Sequence, residues 1–147
     1  MRYTFTEQTK SVAIADDDDL YFSAPFGNFV GPVAISGCRI RELDCLAAYF
    51  NSGLRLVNST IDCPAMFQSS GHNKQPVEFV DVTFLDNVDF EDCCFDADVV
   101  FKRVRFARGT NILGNKATPV AVTFEGELML TDVEGALGLN TFEAVGS

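Results

Sequence analysis

The feature that most constrains this chain is a repeat of paired apolar residues between positions 77 and 112. The two members of a pair are separated by one residue, and the step from one pair to the next alternates between five and six residues. The unit is therefore eleven residues long, with the pattern Val-x-Phe-x-x-Val-x-Phe-x-x-x. The pairs are Val77/Phe79, Val82/Phe84, Val88/Phe90, Cys93/Phe95, Val99/Phe101, Val104/Phe106 and Thr110/Ile112.

These pairs predict very short β-strands with one buried face. Residues at i and i+2 of a strand point to the same side, so both members of a pair face the interior and the intervening polar residues lie at corners. A helix fits poorly, because this spacing spreads the aromatic side chains around a helical cylinder instead of gathering them on one stripe.

Two elevens make one coil of the predicted fold, since one unit alone could close only a flat loop with a thin interior. First-face pairs recur at offsets of 21, 21, 23, 22 and 21 residues: Val12/Ile14, Val33/Ile35, Leu54/Leu56, Val77/Phe79, Val99/Phe101 and Val120/Val122. A second face recurs in register: Cys38/Ile40, Ser59/Ile61, Val82/Phe84 and Val104/Phe106. The sequence predicts an all-β chain, a short parallel β-helix (solenoid) of about six coils of ~22 residues, stacked ~4.8 Å apart.

Residues 88–92 (VDFED) and 93–97 (CCFDA) resemble pentapeptide repeats: a small residue, a polar one, Leu or Phe, then two polar positions. Residues 82–86 and 104–108 are similar. The resemblance implies a right-handed parallel β-helix. Two departures favour a wider, less regular coil than the square one of that family: Val takes the usual place of Ala, and an extra residue follows every second pentad (Asn87, Asp98, Gly109).

The chain is interpreted as a single domain, residues 1–147, in three parts. Residues 1–32 form an N-terminal cap and first coil, with an irregular loop at 15–32 rich in Asp, Pro and Gly. Residues 33–127 form the coils, with a polar loop at 68–76 that bulges out of the stack. Residues 128–147 form a C-terminal cap, since a terminal coil must be covered within the chain or by a second subunit. Cap or dimer contacts are assigned to Leu137, Leu139 and Phe142.

Composition limits the compartment and the partners. The formal charge of −10 disfavours binding to nucleic acid and to anionic membranes, and it is compatible with binding to a basic partner. Solubility alone is an alternative explanation of the same charge. No apolar run approaches the ~20 residues of a membrane span, and the N-terminus lacks a signal-peptide core. Five cysteines, an odd number without a Cys-x-x-Cys pair, indicate reduced thiols, a cytoplasmic location and no metal site.

No catalytic pattern is present in the sequence, so we expect no enzyme and no cofactor. The single histidine, His72, lies in a polar segment without an orienting acid at a recognisable spacing, and is interpreted as solvated. The run Asp16–Asp19 lacks the Gly-punctuated alternation of calcium loops and is interpreted as a turn. A chain of this size leaves little room for the long loops that form a polysaccharide cleft.

An acidic strip is the candidate binding surface. Adding 22 to each outward acid of residues 77–101 places Asp81 beside Arg103 and Asp86 beside Arg108, as salt bridges between coils. The same addition places Asp89, Glu91, Asp92 and Asp96 beside Asn111, Leu113, Gly114 and Thr118, so these acids lack a cationic neighbour on the next coil. On the preceding coil only Lys74 comes near, opposite Asp96. The predicted binding residues are Asp89, Glu91, Asp92, Asp96 and Asp98.

Two functional hypotheses follow. The first is a non-enzymatic DNA-mimic inhibitor that occupies a basic, nucleic-acid-binding site on a partner protein, with acids at regular axial steps. The resemblance supports it, because certain pentapeptide-repeat proteins imitate duplex DNA and bind topoisomerases. Such a decoy would suit a phage-encoded anti-defence or anti-CRISPR-type inhibitor, or a gyrase-binding protein. The alternative is a self-assembling scaffold or immunity-type interaction module, in which the C-terminal end forms a homodimer.

Overall fold

A computed structural model describes residues 1–114 and 122–139. Those residues form β-strands joined by turns, and they contain no apolar helix of membrane-spanning length. The strands are β1 Arg2–Thr4, β2 Glu7–Gln8, β3 Val12–Ala15, β4 Leu20–Ser23, β5 Asn28–Phe29, β6 Val33–Ser36, β7 Arg39–Asp44, β8 Tyr49–Phe50, β9 Leu54–Ile61, β10 Ala65–Met66, β11 Val77–Phe84, β12 Val88–Asp89, β13 Cys94–Phe95, β14 Val99–Phe106, β15 Thr123–Phe124 and β16 Leu128–Glu134.

The strands stack in parallel, each on its equivalent in the neighbouring coil. Phe79 of β11 pairs with Leu56 of β9 on one side and with Phe101 of β14 on the other. The second face follows the same register, with Phe84 between Ile61 and Phe106. The predicted repeat is therefore confirmed: the fold is an all-β parallel solenoid of about five turns of roughly 22 residues, one turn fewer than predicted.

Single residues in the left-handed backbone conformation make two of the corners in the described coils. The corner between the first and second faces has φ between 49° and 66° at Asp16, Gly37, Asn58, Asp81, Arg103 and Asp132. The third face contains Val88/Phe90 and the fourth face contains Cys93/Phe95, each with its equivalents in other coils. The corner between these two faces has φ between 51° and 59° at Phe26, Ala47, Ser69 and Asp92. Asp, Asn and Gly adopt this conformation most easily, which explains why acids occupy several corners.

Phenylalanine rings fill the interior in columns. Phe79 stacks on Phe101 with ring centroids 4.9 Å apart, and Phe84 stacks on Phe106 at 5.2 Å. On the third face Phe67 stacks on Phe90 at 5.1 Å. Burial of each such ring stabilises the fold by about 1.5–3 kcal/mol, and the ring pairs add about 0.5–1.5 kcal/mol.

The segment 15–32, predicted to be an irregular loop, is instead part of a regular coil. It contains β4 and β5, and it buries Leu20, Phe22 and Phe29, each at most 1% exposed. The aspartate run lies in a corner, where the Asp17 carboxylate accepts the Asp19 N–H at 3.0 Å. The prediction was wrong because solvated corner acids and turn residues concealed an intact set of inward residues.

The segment 68–76 also belongs to the stack and does not bulge out of it. Gly71 forms parallel bridges to Tyr49 on the preceding coil and to Cys94 on the next. A Cβ atom at Gly71 would lie 2.0 Å from the Cys94 carbonyl oxygen, so only glycine fits there. The inward residues of this segment are polar, Ser70 at 3% and Asn73 at 0% exposure, and a search for apolar pairs therefore missed them.

The last described coil begins later than the sequence predicts. Val99 and Phe101 pair with Leu128 and Leu130, an offset of 29 residues, so the predicted pairing with Val120 and Val122 is wrong. Extra residues between the faces of this coil displace the register by seven positions. Residues 128–134 thus continue the first two faces as β16.

Two of the three predicted cap or dimer residues can be located. Leu137 is partly buried against the core, and Leu139 lies close to the backbone of Gly109. Phe142 lies outside the described residues.

Candidate binding surface

The four faces of a coil divide into two sides of different construction. The long-strand side comprises the first and second faces, where β9, β11 and β14 each run through both faces over eight residues. The short-strand side comprises the third and fourth faces, where β8, β10, β12 and β13 have two residues each. All five predicted binding residues lie on or beside the short-strand side.

Several acids on the long-strand side are paired with arginine. Arg103 Nη2 donates to Asp81 Oδ2 at 2.8 Å, which confirms the predicted bridge between coils. This hydrogen bond lowers the pKa of Asp81 and raises that of Arg103. Arg39 pairs with Asp62 at 2.9 Å and lowers the pKa of that carboxyl group. The predicted pair of Asp86 and Arg108 stays a prediction.

Two of the predicted binding residues are occupied with backbone contacts. The Asp89 carboxylate accepts the Glu91 N–H at 2.8 Å and the Asn111 side-chain amide at 3.0 Å, which confirms the expected neighbour at an offset of 22. The Asp98 carboxylate accepts the Glu127 N–H at 2.9 Å. These two acids stabilise turns, and their partial burial reduces their access to a partner.

Two of the other three predicted acids, Asp92 and Asp96, face solvent to a greater degree. Asp92 is exposed at its left-handed corner and accepts a hydrogen bond from the Ser69 hydroxyl at 2.9 Å. Asp96 is 40% exposed, and Glu91 is partly buried. Within the described part of the chain, none of the three forms an ion pair with Lys or Arg.

Two acids that the sequence analysis missed extend this surface. Phe95 pairs with Phe124, and the Glu125 N–H donates to the Phe95 carbonyl at 2.8 Å, so Glu125 lies beside Asp96. The prediction placed Thr118 there and is wrong, because the next coil starts seven residues late. Aligning Leu128/Leu130 with Val99/Phe101 in the sequence would have found the correct neighbour. We name the acidic surface by its residues: Glu91, Asp92, Asp96, Glu125 and Glu127.

The acidic surface is an arc around one coil with a step onto the next. The residues directly beneath these acids, on the preceding coil, are uncharged. Gln68 and Ser69 lie beneath the corner that contains Glu91 and Asp92, and Asn73 lies beneath Asp96. On the coil that precedes Glu91, Asp92 and Asp96, no acid continues the strip along the axis at these positions. The carboxylates form a patch instead of a long axial row.

The cysteines are all free thiols in mostly protected positions. Burial raises the pKa of Cys38, Cys45 and Cys93. Burial also raises the pKa of Cys63 to about 11. Cys94 points outward beside the acidic surface, where desolvation and the Asp96 carboxylate raise its pKa.

No protein-family model, curated protein or solved structure matches this chain. The chain is therefore classified by its fold, a parallel β-solenoid of about five turns, which is consistent with a pentapeptide-repeat-like protein.

Proposed function

We propose that this chain is a non-enzymatic binding protein that presents its acidic surface to a basic, nucleic-acid-binding site on a partner protein. The observation that carries the proposal is the contrast in charge pairing between the two sides of the solenoid. Arginines pair with Asp62, Glu78 and Asp81 on the long-strand side, whereas the described residues supply no Lys or Arg partner for Glu91, Asp92 or Asp96.

Rigidity supports a binding role for these carboxylates. Asp92 is fixed at a left-handed corner by Ser69, and Asp96 follows a strand whose Phe95 side chain is anchored in the core. Charges held on a rigid scaffold lose little conformational entropy on binding, and a patch of one sign accelerates association with an oppositely charged partner.

A nucleic-acid-binding site fits this surface because it presents several Lys and Arg side chains for phosphates. The patch of carboxylates would compete for those side chains, and the protein would then act as an inhibitor. We also propose a cytoplasmic location, which the five free thiols support.

The test is capture of partners from a cell lysate by wild type and by the double variant Glu91→Lys/Asp92→Lys. The matched control is Asp18→Lys/Glu42→Lys, which changes the charge equally at exposed positions far from the acidic surface. We expect wild type and control to retain a nucleic-acid-binding protein that short duplex DNA or raised salt releases. The proposal would be contradicted if the Glu91→Lys/Asp92→Lys variant retained the same partner protein, or if neither DNA nor salt released that partner from wild type.

The C-terminal end of the solenoid favours a second candidate, a self-assembling or scaffold role. β16 is the last strand in the described sheet order, and its side chains Met129 and Leu130 are 45% and 40% exposed. If this end joins two chains, Leu130→Lys should convert a dimer to a monomer in analytical ultracentrifugation, while Glu91→Lys/Asp92→Lys should leave the dimer unchanged. A monomeric wild type would exclude this role.

A further inference from the structure

One position on the fourth face breaks the column of inward phenylalanine rings. Phe29 stacks on Phe50 at 5.2 Å, and Phe95 stacks on Phe124 at 5.6 Å, but the coil between these pairs contributes no ring. The bridges from Tyr49 to Gly71 and from Gly71 to Cys94 align His72 with Phe50 and Phe95.

His72 points out of the stack at this position. Its φ of 52° is left-handed, its side chain is 50% exposed, and the next residue, Asn73, is buried in the interior. The backbone thus brings an imidazole to the outer surface of the fourth face.

Two further metal-ligating side chains lie beside this imidazole. Cys94 and Asp96 flank the inward Phe95 and therefore point to the same outer surface. Cys94 Sγ lies 3.6 Å from Asp96 Oδ1, and His72 Nδ1 lies 3.9 Å from Asp96 Oδ2. One donor atom from each of the three residues falls within 4.8 Å of the other two.

The separations of 3.6 Å and 3.9 Å, each to a different Asp96 oxygen, are slightly longer than those in a tetrahedral zinc site. Bond lengths of about 2.3 Å to sulfur and about 2.0 Å to nitrogen and oxygen place neighbouring ligand atoms about 3.3–3.5 Å apart. Small side-chain rotations at an exposed surface would close the remaining difference. The set of one thiolate, one imidazole and one carboxylate suits Zn²⁺ better than Mg²⁺ or Ca²⁺, which prefer oxygen ligands.

We propose that His72, Cys94 and Asp96 form a binding site for Zn²⁺ or a similar thiophilic divalent cation, with a fourth position for water or Glu125. Glu125 lies beside Asp96, and both carboxylates add negative potential that favours a cation. The Tyr49 ring packs against the imidazole with centroids 4.7 Å apart and limits its rotation. Metal binding would replace the thiol proton of Cys94.

The sequence alone does not reveal this site. Its ligands come from two successive coils, at an offset of 22 between His72 and Cys94, so they form no local motif. The expectation of no metal rested on the odd number of cysteines and the absent Cys-x-x-Cys spacing. Cys93 is buried, and only Cys94 contributes to the cluster.

Titration with Co²⁺ in the presence of excess Mg²⁺ tests the proposal, because Mg²⁺ saturates sites made only of carboxylates. We expect one Co²⁺ per chain with thiolate-to-metal charge-transfer absorption, and displacement of Co²⁺ by Zn²⁺. His72→Ala and Cys94→Ser should each weaken binding at least about tenfold. The matched control is Cys63→Ser, which removes another partly exposed thiol and should bind as wild type does.

Alkylation with iodoacetamide, followed by peptide mass analysis, supplies a second readout. Zn²⁺ should slow alkylation of Cys94 in wild type but not in His72→Ala, while the alkylation of Cys63 should not change. Absence of charge-transfer absorption, or equal Co²⁺ affinity in Cys94→Ser, would overturn the proposal. Matching far-UV circular dichroism would show that each variant is folded. No partner protein is needed, so failure here leaves the acidic-surface proposal intact.

Discussion

The two sides of each coil come from the same eleven-residue repeat but are held in place differently. On the long-strand side, β11 pairs with each of its two neighbours over seven positions. On the short-strand side, β12 and β13 are only two residues long, and backbone hydrogen bonds between coils continue through the turns, such as Ala47 N–H to the Gln68 carbonyl at 2.7 Å and Ser69 N–H to the Glu91 carbonyl at 2.9 Å. Backbone hydrogen bonds therefore join the coils on both sides, but long regular strands form on only one of them.

Side-chain hydrogen bonds supplement the backbone bonds on the short-strand side. Asn111 Oδ1 accepts the Phe90 N–H at 2.7 Å, and Asn73 Oδ1 accepts the Asp96 N–H at 3.3 Å. The Thr110 hydroxyl donates to the Val88 carbonyl at 3.0 Å. A side built in this way can vary from coil to coil, and it is here that unpaired acids and an outward histidine occur.

The largest expected effect is on the free energy of unfolding, and it tests whether buried phenylalanine rings hold the short-strand side in place. Phe90 is fully buried, and its ring lies within 6.3 Å of the Phe67, Phe79, Phe95 and Phe101 rings. Phe90→Ala should lower the free energy of unfolding by about 3–5 kcal/mol in urea denaturation.

The control for this substitution is Phe26→Ala, at a ring that is 74% exposed, where we expect a change within about 0.5 kcal/mol. A similar small change for Phe90→Ala would mean that short strands are held without a packed ring. The comparison between the two sides would then fail.

The long-strand side was the part of the fold that could be predicted from sequence. Its Val-x-Phe and Leu-x-Leu pairs are apolar in nearly every coil, and their alternation is the signal that a half-buried strand leaves in a sequence. The registers of Phe79 with Phe101 and of Phe84 with Phe106 follow directly from that alternation.

The short-strand side could be predicted only in part, because its inward residues are not always apolar. Ser70 and Asn73 are buried through hydrogen bonds that involve residues of neighbouring coils, and no periodicity of hydrophobic residues marks them. The displaced register of β16 depends on an insertion whose length no repeat rule supplies, and so the position of Glu125 beside Asp96 was missed.

A smaller loss of stability is expected when one side-chain hydrogen-bonding residue of the short-strand side, Asn111, is replaced. Asn111→Ala removes the acceptor of the Phe90 N–H and the amide that holds Asp89. A partly buried N–H without a partner costs about 1–3 kcal/mol, and we expect that loss in urea denaturation.

Asn51→Ala is the matched control for Asn111→Ala. The Asn51 amide donates to the Asn28 side-chain oxygen at 2.6 Å and to the Phe29 carbonyl. The Phe29 carbonyl also accepts the Asn51 backbone N–H at 3.0 Å, so the substitution leaves no backbone group without a partner. The Asn51 variant should therefore be the more stable of the two. An equal loss of unfolding free energy in both variants would show that the hydrogen bond from the Phe90 N–H to Asn111 adds no stability beyond that of the Asn51 contacts.

The smallest effect belongs to the exposed ion pairs of the long-strand side, where the backbone ladder already fixes the structure. Asp81→Asn removes the charge that pairs with Arg103 and keeps a side chain that tolerates the left-handed corner. Because pairing lowers the pKa of Asp81 in the folded chain, its stabilisation is present above the unfolded pKa of about 3.9 and is lost as the pH falls through the folded value. Urea midpoints of wild type and Asp81→Asn should therefore differ slightly at neutral pH and low salt, and converge in acid or at high salt. A difference that exceeds that of Asn111→Ala would reverse the comparison, since exposed charges would then stabilise the long-strand side more than side-chain hydrogen bonds stabilise the short one.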